Sequence, residues 1–338
     1  MTTTDQSHRL RIGVIGCGHW GKNYVRVLAS MAGVELVAVA DPAADKLASV
    51  HRTWPGVATF TDHRELIDRA GCEAVVVATV ASTHHAVAGA ALAAGLHALV
   101  EKPFTLTVPD ASDLIRKAER RRLTLMVAHT FLYNPSVRRI QTLLREGVAG
   151  DLYYLKARRT HLGLIREDVN AVWDLAPHDI SMFLHLLGET PRRIQAVGRS
   201  VLKRDREDAA FINLEFPSGI IGSIVVSWAD ANKERCLDIV GSKARIAFDD
   251  LNTLEPVRLF YKGVGRDESL DSNFGEFKYL VRDGDIVSPK IDVQEPLKVL
   301  CEDFVGAVRD RRPPVSDARL GRDVVSVLAR IDAALRRA

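Results

Sequence analysis

A chain of 338 residues is longer than one hydrophobic core usually grows, so two domains are expected. A hydrophobic fraction of 47% suits a globular interior, and 46 basic against 43 acidic residues leave a formal charge of +3, with no basic block or basic-aromatic stripe to favour a nucleic-acid groove. Cys17, Cys72, Cys236 and Cys301 lie far apart without a C-x-x-C pair, against a zinc knot or disulfide framework, and no apolar run approaches the roughly 20 residues of a membrane helix, so a cytoplasmic protein with neither nucleic acid nor membrane as partner is expected.

From Arg11 to about Ala128 the short apolar runs "RIGVIG", "VELVAVAD", "EAVVVAT", "HALVEK" and "LTLMVAH" alternate with helical stretches, the pattern of strands buried on both faces of a parallel sheet. The first turn, "GVIGCGHWG", sets Gly16, Gly18 and Gly21 in the G-x-G-x-x-G spacing between a strand and a helix. Gly16 suits a tight turn, Gly18 a close approach of backbone to pyrophosphate, and Gly21 close helix packing, while the helix N-terminus attracts the anion. His19 and Trp20 lie in that turn and are counted with it as dinucleotide contacts.

The second run ends in Asp41, twenty residues after Gly21, where a carboxylate can bind the adenosine ribose hydroxyls and would repel a 2′-phosphate. Pro42, Ala43 and Ala44 supply no guanidinium, so NAD is expected over NADP, with Lys46 the cation a little downstream. Thr79 closes the third run and joins the expected cofactor contacts. Ser82 is the expected cap of "THHAVAGAALAA", which Gly95 stops, and Pro109 and Asp110 open "ASDLIRKAERRR". Glu101, Lys102 and Pro103 stand at the end of "HALVEK", the carboxyl edge where open α/β sheets bind ligands.

Further on, Arg158, Arg159, His161, Arg166 and Asn170 read as a loop feeding "AVWDLAPHDISMFLHLLG", and several arginines there suit an anionic or nucleotide-linked substrate. The apolar spacing from Ser181 predicts a helix that begins near Pro177 or earlier and ends at Gly188. Asp174 and His178, four apart, fall on one side of it. Taken alone they suit either a cap with a local hydrogen bond or an acid/base pair. A metal reading of Asp174, His178, Asp179 and His185 matches no strong zinc spacing. After Gly150 short alternating runs separated by turn residues predict an antiparallel sheet, residues 261–289 a flap or an oligomer contact, and the tail two amphipathic helices joined by a proline turn.

The first-turn glycines, "ATVASTHH", "EKP", "HTFLYNP" and "DLAPHD" stand in an order that resembles the glucose-fructose oxidoreductase and inositol dehydrogenase family, Gfo/Idh/MocA, over nearly the whole chain. The resemblance implies an α/β fold: an N-terminal Rossmann parallel sheet over 1–130, and over 131–338 an α+β domain with an open, mostly antiparallel sheet through which homodimers or homotetramers form. It implies NAD-dependent, metal-free hydride transfer on a ring carbinol or ketone of a sugar or nucleotide-sugar. An inositol or aminocyclitol dehydrogenase is the near alternative, and a non-catalytic NAD-sensing protein the one from another class. Lys102 is then the lysine that meets the reacting oxygen, His178 the acid/base, Asp174 its orienting acid, and His84 a histidine near the nicotinamide. Tyr133, Asn134 and Asp179 are counted as substrate contacts beside Arg158, His161, Arg166 and Asn170, the candidates that the charges of their segment supply. Two departures stand out: Thr130 to Tyr133 lack the arginine common before N-P, and the usual D-x-G-x-H reads Asp174, Leu175, Ala176, Pro177, His178. The version in this chain resembles a branch of nucleotide-sugar and aminocyclitol oxidoreductases.

Overall fold

The structure, a computed structural model, describes residues 9–163, 165–166, 169–202, 206–266 and 279–337. Its first unit comprises residues 1–133 and 294–326, and its second 134–293 and 327–338. The segment 294–326 groups with the first unit. Backbone pairing gives the reason: Met126 and Asp317 form an antiparallel bridge, and Ser316 Oγ donates to the Val127 carbonyl at 2.6 Å.

In the first unit, β1 (Leu10–Ile15), α1 (Gly21–Ser30), β2 (Val34–Ala40), α2 (Ala44–Thr53), β3 (Ala58–Phe60), α3 (His63–Arg69), β4 (Ala74–Val77), α4 (His84–Ala93), β5 (His97–Val100), α5 (Val108–Arg121) and β6 (Leu125–Val127) follow in order. The six strands are all parallel, arranged β3-β2-β1-β4-β5-β6. Strand order reverses between β1 and β4, the switch point where such sheets open a crevice for a ligand. Ala74 to Val77 are wholly buried, as strands covered on both faces must be. β3, at the edge and largely exposed, has too little apolar pattern to be found by sequence. Ser82 does not cap α4: a 3₁₀ turn over Ala81–Thr83 leads into it, and α4 has no side-chain cap. Thr107 caps α5 by accepting from the Asp110 N–H, with Pro109 in the first turn.

The second unit contains α6 (Pro135–Arg145), β7 (Leu152–Leu162), α7 (Ala171–Leu187), β8 (Arg193–Arg199), β9 (Ala209–Glu215), β10 (Ile221–Ser227), β11 (Ala229–Gly241), β12 (Arg245–Asp249), β13 (Val257–Phe260), β14 (Gly263–Arg266), β15 (Tyr279–Arg282) and β16 (Ile286–Val287). Eight strands form one sheet, β16-β13-β12-β11-β7-β10-β9-β8, antiparallel except for the β10–β7 pair, so the sheet is mixed. β14 and β15 pair beside it; the rest of the expected flap, residues 267–278, lies outside the described residues. The tail forms α8 (Pro296–Asp310) in the first unit and α9 (Ala318–Leu335), whose residues from 327 belong to the second.

α7 covers one face of this sheet. Phe183 lies so close to Gly222 that a Cβ there would meet its ring at 2.8 Å. Phe183, Phe216 and Trp228 are fully buried, each contributing about 2–3 kcal/mol of apolar burial. Gly188, at φ +71°, ends α7 as expected. The helix begins before Pro177, within the expected range: Asn170 caps it, and Pro177 sits in its interior, where its missing N–H leaves the Trp173 carbonyl without its helical donor. Among the described residues no helix is long and apolar enough to cross a membrane.

Candidate active site

The carboxyl edge of the parallel sheet carries the dinucleotide features. Gly16 has φ +94°, and a Cβ there would stand 2.5 Å from the Ala78 carbonyl, so both conformation and space demand glycine. A Cβ on Gly21 would meet the Gly16 carbonyl at 1.9 Å, which fixes how tightly α1 leaves the turn. Gly18 has nothing within 4 Å on its Cβ side. The turn therefore presents open backbone at the start of a helix, the geometry a pyrophosphate needs, and NAD fits these residues.

Asp41, 5% exposed, does more than sequence suggested. Its Oδ2 accepts from the Cys17 N–H at 2.7 Å and its Oδ1 from the Ala43 N–H at 2.9 Å, so the carboxylate braces the glycine turn from the end of β2. Lys46 Nζ lies 3.3 Å from Oδ1. The same ammonium also lies 3.4 Å from Oδ2, so each carboxylate oxygen accepts from one backbone N–H and from Lys46. His19 and Trp20 meet edge to face at 5.8 Å, with Trp20 exposed.

His84, expected near the nicotinamide, is 1% exposed and serves as a strut. Its Nδ1 lies 2.8 Å from the Pro103 carbonyl and its Nε2 3.2 Å from that of Thr79, tying the ends of β4 and β5 together. The Thr79 hydroxyl accepts from Thr83 Oγ1 at 2.8 Å. Glu101 is buried: its Oε1 accepts from the Tyr24 hydroxyl at 2.7 Å and its Oε2 from the Lys102 N–H at 3.0 Å. Burial, then the Glu101 charge, push the Tyr24 phenol well above its ordinary range, which keeps it a neutral donor. The Lys102–Pro103 peptide is cis. At the end of β6 stands His129, 1% exposed, whose pKa burial and the nearby Lys102 charge push down to about 3. Neither ring nitrogen of His129 has a hydrogen-bond partner among the described residues. Sequence did not mark Tyr24, because nothing in a single buried Tyr signals a partner distant in the chain, and it showed His129 only as the first residue of "HTFLYNP".

In the second unit the start of α7 gathers the remaining candidates. Asp174 Oδ1 lies 3.4 Å from Arg166 Nη1, and its Oδ2 accepts from the Trp228 indole N–H at 3.3 Å. His178 follows one helical turn later on the same side. Beneath them Arg159 grips Asp179 with two hydrogen bonds, at 3.0 and 2.9 Å. His185, the metal alternative, lies within hydrogen-bond distance of Gln141 at 2.6 Å, with its pKa lowered by burial and by Arg145.

Not every expected residue joins this group. Arg158, Arg159 and His161 belong to β7 and not to a loop. Side chains alternate along a strand, so Arg158, between buried Ala157 and Arg159, points to the sheet face opposite α7, where it pairs with Glu234 at 3.0 Å. The Asn170 side chain caps α7 through the Trp173 N–H at 3.0 Å and donates to Glu207 at 2.8 Å. Asn134 caps α6 and donates to Asp250 at 3.0 Å. Tyr133, in the first unit, is 2% exposed and donates to Asp303 at 2.7 Å. These three side chains, and that of Asp179, have structural partners.

Residues 10–129 match the model of the GFO/IDH/MocA oxidoreductase family with its NAD-binding Rossmann fold, and residues 137–247 match the GFO/IDH/MocA C-terminal domain. The chain is 29% identical to UDP-N-acetylglucosamine 3-dehydrogenase of Acidithiobacillus ferrooxidans, across 96% of this chain and 97% of that one. The solved structure of that enzyme superposes with a TM-score of 0.81 at 27% identity, covering 97% of this chain and 98% of the other. Identity is 28% to dTDP-3,4-didehydro-2,6-dideoxy-alpha-D-glucose 3-reductase of Streptomyces antibioticus, over 82% of this chain and 88% of the relative. It is 25% to myo-inositol 2-dehydrogenase of Thermotoga maritima, over 72% and 76%.

Proposed function

Because the chain belongs to the GFO/IDH/MocA oxidoreductases, whose Rossmann unit binds NAD, we propose that it transfers a hydride between NAD and a ring hydroxyl or ketone of a nucleotide-linked sugar. The observation that carries this substrate class is the extent of the likeness to UDP-N-acetylglucosamine 3-dehydrogenase, which runs nearly end to end through both domains. Arg166, within reach of Asp174 at the start of α7, supplies a guanidinium suited to an anionic substrate group.

In the oxidative direction His178 removes the hydroxyl proton. Lys102 stabilises the alkoxide that develops on the oxygen, and Asp174 supports the imidazolium formed on His178. NAD, when bound, accepts the hydride from the carbinol carbon. Proton and hydride leave the same carbinol, so the ring carbon becomes a ketone and the charges balance. Gly16, Gly18, Gly21 and Asp41 hold the dinucleotide; Glu101 fixes the Lys102 backbone.

The oligomer we propose pairs copies through the sheet face opposite α7, where Val197 and Phe211 are neighbours across β8 and β9, Ile221 and Tyr154 across β10 and β7, and all four are exposed. Light scattering tests this: a monomer would refute it. The cysteine pattern supports a cytoplasmic setting.

Substrate profiling tests the main reading. Purified protein with NAD should form NADH with UDP-N-acetylglucosamine or a close nucleotide-sugar in preference to myo-inositol. Turnover of inositols alone would make it a cyclitol dehydrogenase, and NAD binding without turnover of any polyol would make it a sensor.

A further inference from the structure

Trp228 stands at the end of β10, 1% exposed, with its backbone N–H donating to the Asp208 carbonyl at 2.8 Å. Burial alone would be met by a phenyl ring as well as by an indole, as fully buried Phe183 and Phe216 elsewhere in the same unit show. What the indole adds is one N–H, and that N–H reaches Asp174 Oδ2 at 3.3 Å, one helical turn before His178. The adjacent residue of α7 repeats the device: Trp173 Nε1 donates to Asp332 Oδ2 at 2.7 Å. The first turn of α7 is thus pinned by two indole donors, one reaching out of the helix and one reaching into it.

An indole N–H donates only and neither gains nor loses a proton near neutrality, so it can fix a carboxylate without competing in proton transfer. We propose that Trp228 is a positioning residue of the hydride-transfer site, holding the Asp174 carboxylate oriented so that its charge supports the imidazolium of His178; this rests on the acid/base reading of His178 given above. Among the described residues, the charged groups that bear on the start of α7 include Arg166, which pairs with Asp174, the Arg159–Asp179 pair between β7 and α7, Asp332, which accepts from Trp173, and Glu207, which accepts from Asn170. Arg166 is a flexible, half-buried cation at 3.4 Å. Trp228 is the buried, rigid donor.

The test reads His178 directly and needs no substrate. Full-length protein labelled with ¹³C-histidine is titrated by NMR as wild type, as Trp228→Phe, and with Trp228 replaced by 3-benzothienylalanine, which keeps the shape of the indole and lacks its N–H. The resonance missing from His178→Asn is that of His178. Both Trp228 replacements should lower the His178 titration midpoint by about half a pH unit or more, because the imidazolium loses a fixed counter-charge. Asp174→Ala should lower it at least as far, and adding Trp228→Phe to Asp174→Ala should change nothing further. The isostere keeps the melting temperature, which separates this effect from unfolding. If Asp174→Ala lowers the midpoint and neither Trp228 replacement does, the role of Trp228 is refuted while the Asp174–His178 pair stands. If Asp174→Ala leaves the midpoint where it was, the pairing itself is wrong and the proposal falls with it.

Discussion

Arg159 and Asp179 form a two-pronged ion pair, Nε to Oδ2 at 3.0 Å and Nη2 to Oδ1 at 2.9 Å, with the residues only 4% and 1% exposed. It locks β7 to α7 beside His178. Removing one partner strands a buried charge, so Asp179→Ala should destabilise the second unit by about 3–5 kcal/mol. Arg159→Met with Asp179→Leu should cost much less, since both charges leave together. Urea denaturation of the three proteins checks this, with NAD binding as a control that should not change.

Asp41 braces the glycine turn, and in the proposed complex it also receives the adenosine ribose. The wild type should bind NAD much more tightly than NADP, and Asp41→Ala should narrow that gap by removing a repulsion. It should also weaken NAD itself, because the Cys17 and Ala43 N–H groups lose their acceptor. Four dissociation constants decide it; equal binding of the two dinucleotides by the wild type would remove Asp41 from its role.

Lys102→Ala should lose most turnover while NAD affinity stays within about tenfold, since in the proposed reaction Lys102 acts on charge that develops in the transition state. Stopped-flow rates with equilibrium NAD titrations separate the two effects. A wild-type rate would move the chemistry away from this turn.

His129 links stability to pH. Its folded pKa of about 3 lies below the unfolded value of about 6.5, so the unfolded chain takes up a proton that the folded one refuses. The resulting stability is complete above pH 6.5 and falls by about 1.4 kcal/mol for each pH unit between there and the folded value. His129→Gln should flatten this acid limb by about one proton relative to wild type. Urea midpoints between pH 7.5 and 5 give the slopes; parallel slopes for both proteins would mean that His129 is protonated in the fold.

Much of the first unit was legible because doubly buried strands write continuous Val and Leu runs and because Gly16 and Gly21 leave no room for any other residue. The start of α7 was legible only as a limit. The spacing predicts a helix that begins near Pro177 or earlier, and the Asn170 cap, seven residues before Pro177, meets that limit and leaves the proline in the helix interior. Arg158 to His161 read as a loop because charges interrupt the apolar alternation, yet they continue β7, whose arginines pair with Glu234 on one face and Asp179 on the other. The return of the tail to β6 depends on backbone bonds of Ser316 and Asp317, which no periodicity announces. Trp228 escaped notice for the same reason: a tryptophan closing an apolar strand looks like core until its N–H is followed to Asp174.

The central claim is that His178 carries the proton, and one variant tests it most directly. His178→Asn is compared with wild type for melting temperature and for single-turnover NADH formation, using whichever of UDP-N-acetylglucosamine and myo-inositol the wild type oxidises. His178→Asn should leave melting and NAD binding nearly unchanged while hydride transfer slows by about two to four powers of ten. A variant that melts earlier yet reduces NAD at the wild-type rate would contradict it, and would leave His178 as a structural residue of α7.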